Sequence, residues 1–187
     1  NDPWTSTDLG QQLTQFRSYW NSNMSSVDRT IGHMLSGRNL GGGVAWVGVL
    51  CSSSYGYSLA TGLGGSFPYP LVDHSNGNWD VIVSAHEMGH NCNALHTHDM
   101  TPKIDGCGDG DCSEPLSTIM SYCHLCSGGL ANIALSFHSR IINERMLPHI
   151  SSASCLSPAE TTIVQQPTDV AVVDSQSASF SVAVDSA

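Results

Sequence analysis

His86-Glu87-Met88-Gly89-His90-Asn91-Cys92-Asn93-Ala94-Leu95-His96 is the stretch that decides how this chain reads. Residues four apart share one face of a helix, so His86 and His90 can grip a single metal ion. Glu87 lies beside them, where it can touch a water on the metal without itself ligating. His96 comes six residues after His90 and reaches the same point only if the helix ends and the chain turns back. Asn93 stands at that turning point, and asparagine is one of the few non-glycine residues that accept a left-handed backbone. The competing reading is an amphipathic helix with surface or core histidines. It is the weaker one, because this motif with its third histidine is rare by chance.

Around the motif, composition sets bounds. The 187 residues hold one full domain and part of another. A net charge of −10 argues against nucleic acid or an anionic membrane as partner. The longest apolar stretches are far too short to span a bilayer. No signal peptide reads at Asn1; if the protein is secreted, its targeting segment is expected to have been removed or to lie outside this sequence. Seven cysteines suggest an oxidising compartment. Cys107, Cys112, Cys123 and Cys126 read as disulfide partners. A four-cysteine zinc site is the alternative, although Cys107 and Cys112 are spaced more widely than the usual arm. The odd thiol is assigned to Cys92, turned toward the core as a small apolar residue.

Leu9, Leu13, Phe16 and Trp20 recur at helical spacing and predict a helix over Thr7–Asn23, capped by Ser6 or Thr7. Residues 27–35 are ambiguous, and 37–43 read as a turn-rich link. The β-branched run Val44–Leu50 reads as a strand. Residues 51–78 read as a long surface excursion. Asp80–Cys92 is the motif helix, burying Val81, Ile82 and Ala85. Residues 97–128 are irregular and cysteine-bearing. A last helix is expected from about Ser136 to Leu147, with Phe137, Ile141, Met146 and Leu147 inward and Pro148 as its stop.

Three neutral imidazoles leave a bound dication with its full charge, which lowers the pKa of a water on it. Glu87 can then take a proton from that water and return it to a leaving amine. Amide hydrolysis without a covalent intermediate fits this set. Ser117-Thr118-Ile119-Met120-Ser121-Tyr122 gains weight beside it, because a metal site needs an apolar floor.

The long histidine motif followed by a methionine turn resembles the metzincin clan of zinc endopeptidases. Within that clan the chain is most similar to the adamalysin (reprolysin) family. The resemblance covers roughly residues 8–157. It also draws on Gly43-Val44-Ala45-Trp46-Val47-Gly48-Val49-Leu50-Cys51, on Cys123-His124 and on Phe137-His138. It implies an α+β, α/β/α-like catalytic domain: a twisted mixed sheet, an active-site helix, a C-terminal helix and a loop-rich lower part. It implies a zinc cofactor held by His86, His90 and His96, with Glu87 as general base and Met120 as the methionine-turn residue. A strand near 42–47, with Gly43, Val44 and Ala45 at its heart, would pair with an extended substrate. Cys51 resembles a family cysteine bridged to one after the last helix, here Cys155.

The chain also departs from the family. Asn93 replaces the usual glycine. Thr97, with Asp99 two further on, stands where adamalysins commonly carry aspartate. Met120-Ser121-Tyr122 looks more like astacins and serralysins, which makes Tyr122 a candidate fifth ligand or oxyanion stabiliser. His98 and His124 are not expected to be ligands. Asp105, Asp109 and Asp111 offer calcium a cluster, but Asp-Gly runs more often make plain turns.

The domain reading is 1–157 catalytic and 158–166 linker, with 167–187 as the cut-short start of an immunoglobulin-like sandwich or a tail. Val170–Val173 and Phe180–Val184 read as its strands. Family strands that precede residue 8 have no counterpart, so a missing N-terminal piece or further domains are expected. The function implied is secreted, zinc-dependent cleavage of protein or peptide substrates. The alternative is a catalytically weak adhesion module on the same fold.

Overall fold

Helix α1 (Leu9–Asn23) starts where Asp8 accepts a hydrogen bond from the Gln11 N–H at 2.8 Å. The expected caps were Ser6 or Thr7. Asp8 takes the position because its carboxylate meets an orphan amide of the first turn, a contact worth about 0.5–2 kcal/mol. The computed structural model describes residues 3–156, 161–165 and 183–186. The chain divides into two compact units, Asn1–Leu156 and Ser157–Ala187.

The first unit is α+β. Strands β1 (Gly32–Leu35), β2 (Gly43–Ala45) and β3 (Tyr57–Ala60) form a mixed sheet in the order β1-β3-β2. β1 runs parallel to β3, whereas β2 is antiparallel to it and lies at the edge. Leu13 and Phe16 of α1 pack with Met34, Tyr57 and Leu59, and each such apolar side chain withdrawn from water contributes about 1.5–3 kcal/mol. β3 corrects the reading of 51–78 as a surface excursion. All four of its residues are buried, and it is the central strand.

Helix α2 (Trp79–Asn91) carries the histidine motif. Its apolar contacts differ from the expected set: Ile82 and Val83 are buried, while Val81 and Ala85 are only partly so. The predicted strand over Val44–Leu50 stops at Ala45. Beyond it, the Gly48 and Val49 amides donate to the His90 and Asn91 carbonyls at 2.9 and 3.0 Å. The chain there caps the end of α2 instead of extending the sheet.

Below α2 the chain is irregular, with one small parallel pair, β4 (Ser117–Thr118) and β5 (Ile133–Ala134). Disulfides Cys107–Cys123 and Cys112–Cys126 staple this region, and Cys51–Cys155 ties the end of the unit back to the segment after β2. The four-cysteine zinc alternative is therefore set aside. Cys92 is the free cysteine among the described residues, and it is half-buried.

The last helix is α3 (Ser139–Ile141), a π-helical segment (Ile142–Met146) and α4 (Leu147–Ser152). Pro148 does not stop it. The proline follows the wider π turn and sits in the first turn of α4, where a missing N–H costs little. Leu147, expected inward, is exposed.

In the second unit, β6 (Thr161–Gln165) pairs antiparallel with β7 (Ala183–Ser186). β6 falls within the segment read as a linker. The strand expected at 170–173, and most of the one at 180–184, lie outside the described residues. No helix among the described residues is long and apolar enough to cross a membrane.

Candidate active site

α2 ends at Asn91, and Asn93 then adopts φ 73°, the left-handed turn that sends His96 back beneath the helix. The structure brings His86, His90 and His96 together, with a ligand nitrogen from each inside a 4.8 Å cluster. The Nε2 atoms of His90 and His96 are 3.1 Å apart.

Each ring is oriented by a partner on its other nitrogen. His86 Nδ1 lies 2.8 Å from the Ile119 carbonyl, His90 Nδ1 2.8 Å from the Ala94 carbonyl, and His96 Nδ1 3.0 Å from Asp99 Oδ2. Oxygen acceptors at Nδ1 place the proton there, so each Nε2 presents a lone pair to the common centre. Burial lowers the His86 imidazole to about 3 and His90 to about 4. His96 is lowered by the same cause, against the pull of Asp99. Neutral imidazoles are the form that binds a metal. Three nitrogen donors in this arrangement fit zinc, with a coordination position to spare.

Glu87 is 5% exposed, and burial raises its carboxyl to about 8. Gly43 of β2 lies directly over it. A Cβ at residue 43 would sit 2.6 Å from Glu87 Oε1, so only glycine lets the edge strand pass this close. Val44 and Ala45 continue that strand. Met120, fully buried, lies under α2: a Cβ on Gly89 would stand 2.9 Å from its sulfur and 2.7 Å from the Phe137 ring.

Tyr122 places its hydroxyl 3.1 Å from His96 Nε2, at the edge of the triad. Burial raises its phenol, helped by Glu87 and Asp99. Beside Glu87 opens a cavity of about 270 Å³, lined by Trp79, Ile82, Val83, His124 and Leu125 among others. His98 stacks on His96, with ring centroids 5.1 Å apart.

The acidic residues weighed for calcium are engaged elsewhere. Asp105 accepts from Ser117 Oγ at 2.5 Å and from the Cys107 amide at 3.1 Å. Asp109 pairs with Lys103, and Asp111 accepts from the Ser113 amide.

Sequence reasoning missed Asp99 as the partner of His96. The signal was its i+3 spacing on the short 3₁₀ turn Thr97–Asp99. It also missed Trp79 and Leu125 as cavity walls, which only the folded loops bring together.

A helix bearing His-Glu-x-x-His, a third histidine on a return turn and a methionine beneath them define the class as metallopeptidase-like. A reprolysin model, described as metallo-peptidase family M12, matches residues 1–132. The chain belongs to metallo-peptidase family M12. None of the curated proteins compared matches it significantly.

Proposed function

We propose that this protein is a secreted, zinc-dependent endopeptidase, with catalysis in residues 1–157. The observation that carries the reading is the convergence of three imidazoles, each with Nδ1 already occupied, beside a buried carboxylate. Zinc bound by His86, His90 and His96 would supply a Lewis acid for the scissile carbonyl and acidify the attacking water.

The residues around it supply the rest. Glu87, buried beside the three imidazoles, takes the proton of the attacking water and delivers it to the leaving amine. The Tyr122 hydroxyl is placed to donate a hydrogen bond to the oxyanion. Among the described residues β2 has an unpaired edge, so Gly43, Val44 and Ala45 can hold an extended substrate by backbone hydrogen bonds. The neighbouring cavity takes a substrate side chain. Protein or peptide substrates follow from backbone pairing. The three disulfides support an extracellular setting.

The test is hydrolysis of an unfolded, alkylated protein. Cleavage should stop with a zinc chelator and return with added zinc. Glu87→Gln should bind zinc as the parent does and lose about 10²-fold or more in rate. Equal cleavage by the variant would refute the role of Glu87, and cleavage indifferent to chelation would refute the zinc.

A further inference from the structure

We propose that Arg145 is a positioning residue for the metal centre, holding the third histidine in place through Asn93. This rests on the zinc reading above and concerns how that site is kept in shape.

The left-handed turn at Asn93 lies midway between His90 and His96, three residues from each. Glycine is the residue best suited to such a backbone, and asparagine there carries a conformational cost. The structure shows what the asparagine side chain provides in return. Arg145 Nη2 donates to Asn93 Oδ1 at 3.0 Å, and Arg145 Nε donates to the Asn93 carbonyl at 3.4 Å. Asn93 Nδ2 donates back to the Arg145 carbonyl at 3.5 Å. Glycine would keep only the bond to its own carbonyl.

Two further features lead to the same place. Arg145 lies in the π-helical segment Ile142–Met146, whose wider turn shifts the register of the helix. The Gly48 amide also donates to the His90 carbonyl at 2.9 Å, and a Cβ at Gly48 would stand 3.1 Å from Asn93 Oδ1. The turn is therefore held by two segments, the last helix and the stretch after β2. Cys51, three residues after Gly48, is bridged to Cys155, three residues after the helix that carries Arg145 ends. The two segments that hold the turn are thus joined covalently.

The test measures zinc affinity and zinc dissociation rate in Asn93→Gly, Arg145→Met and the double variant, alongside the parent. Unfolding midpoints of the zinc-free proteins are recorded in parallel. Each single variant should bind zinc about tenfold more weakly and release it faster, the scale of outer ligand support. The double variant should be no worse than the worse single one, because the two residues act as one unit. Arg145→Lys should recover part of the loss. Parent affinity in both single variants would overturn the proposal. So would losses that multiply in the double variant, or losses confined to the unfolding midpoint. A parent that binds no zinc would instead refute the functional reading, so the two failures are distinguishable.

Discussion

At the scale of single residues, the site depends on which nitrogen of each imidazole is already engaged. Asp99 is the only charged partner among the three Nδ1 acceptors, the others being carbonyls. Asp99→Asn keeps the shape and removes the charge, and zinc affinity should fall about 10–100-fold. A competition titration against a chelator reads this, and unchanged affinity would contradict it. His33 on β1 gives a second prediction. Burial lowers its imidazole from 6.5 to about 4, with Nδ1 2.7 Å from Ser58 Oγ. The unfolded chain therefore binds a proton here that the folded chain refuses. Stability is full above pH 6.5 and falls as the pH drops toward 4. His86 and His90 push the zinc-free protein the same way. His33→Gln should flatten the plot of urea midpoint against pH over this interval, whereas an unchanged slope would show that His33 does not contribute. The clustering of the three imidazoles and the left-handed turn at Asn93 were legible because the motif's spacing carries its own geometry. Asp99 was not, because a lone aspartate after a motif carries no pattern until the 3₁₀ turn brings it to His96.

At the scale of elements, helices were easier to read than strands. α1 and α2 show periodic apolar faces long enough to outweigh local noise. β3 is the sheet's centre, yet Tyr57-Ser58-Leu59-Ala60 is four residues in a Ser- and Gly-rich context, buried on both faces and so without alternation. Trp46–Leu50 has strand composition, but Gly48 at φ 66° turns it onto the end of α2. Pro148 reads as a stop only if the preceding turn is α-helical. The approach of β2 to α2 also yields a prediction. Gly43→Ala sets a methyl 2.6 Å from Glu87 Oε1, so the carboxylate or the strand must shift. Turnover should drop about 10²-fold, the scale of an ångström's misplacement, while zinc content holds. Retained turnover would show that Glu87 need not lie so close to the strand.

At the scale of the whole molecule, the first unit combines a small sheet with a long irregular segment, and disulfides tie that arrangement together. Cys51–Cys155 closes a loop spanning 104 residues. Replacing both cysteines with serine should lower unfolding free energy by about 2–5 kcal/mol, read by denaturant titration. A smaller change would mean that the sheet and α1 hold this end unaided. The family match extends over residues 1–132, so α2, its histidines and the methionine beneath them all fall inside the matched span. The central claim is that three imidazoles hold one zinc ion. Zinc-edge X-ray absorption on protein loaded with a single equivalent addresses it directly. Three imidazole nitrogens at about 2.0–2.1 Å with one oxygen are predicted. A sulfur in the shell, from Cys92, or fewer than three imidazoles would contradict it.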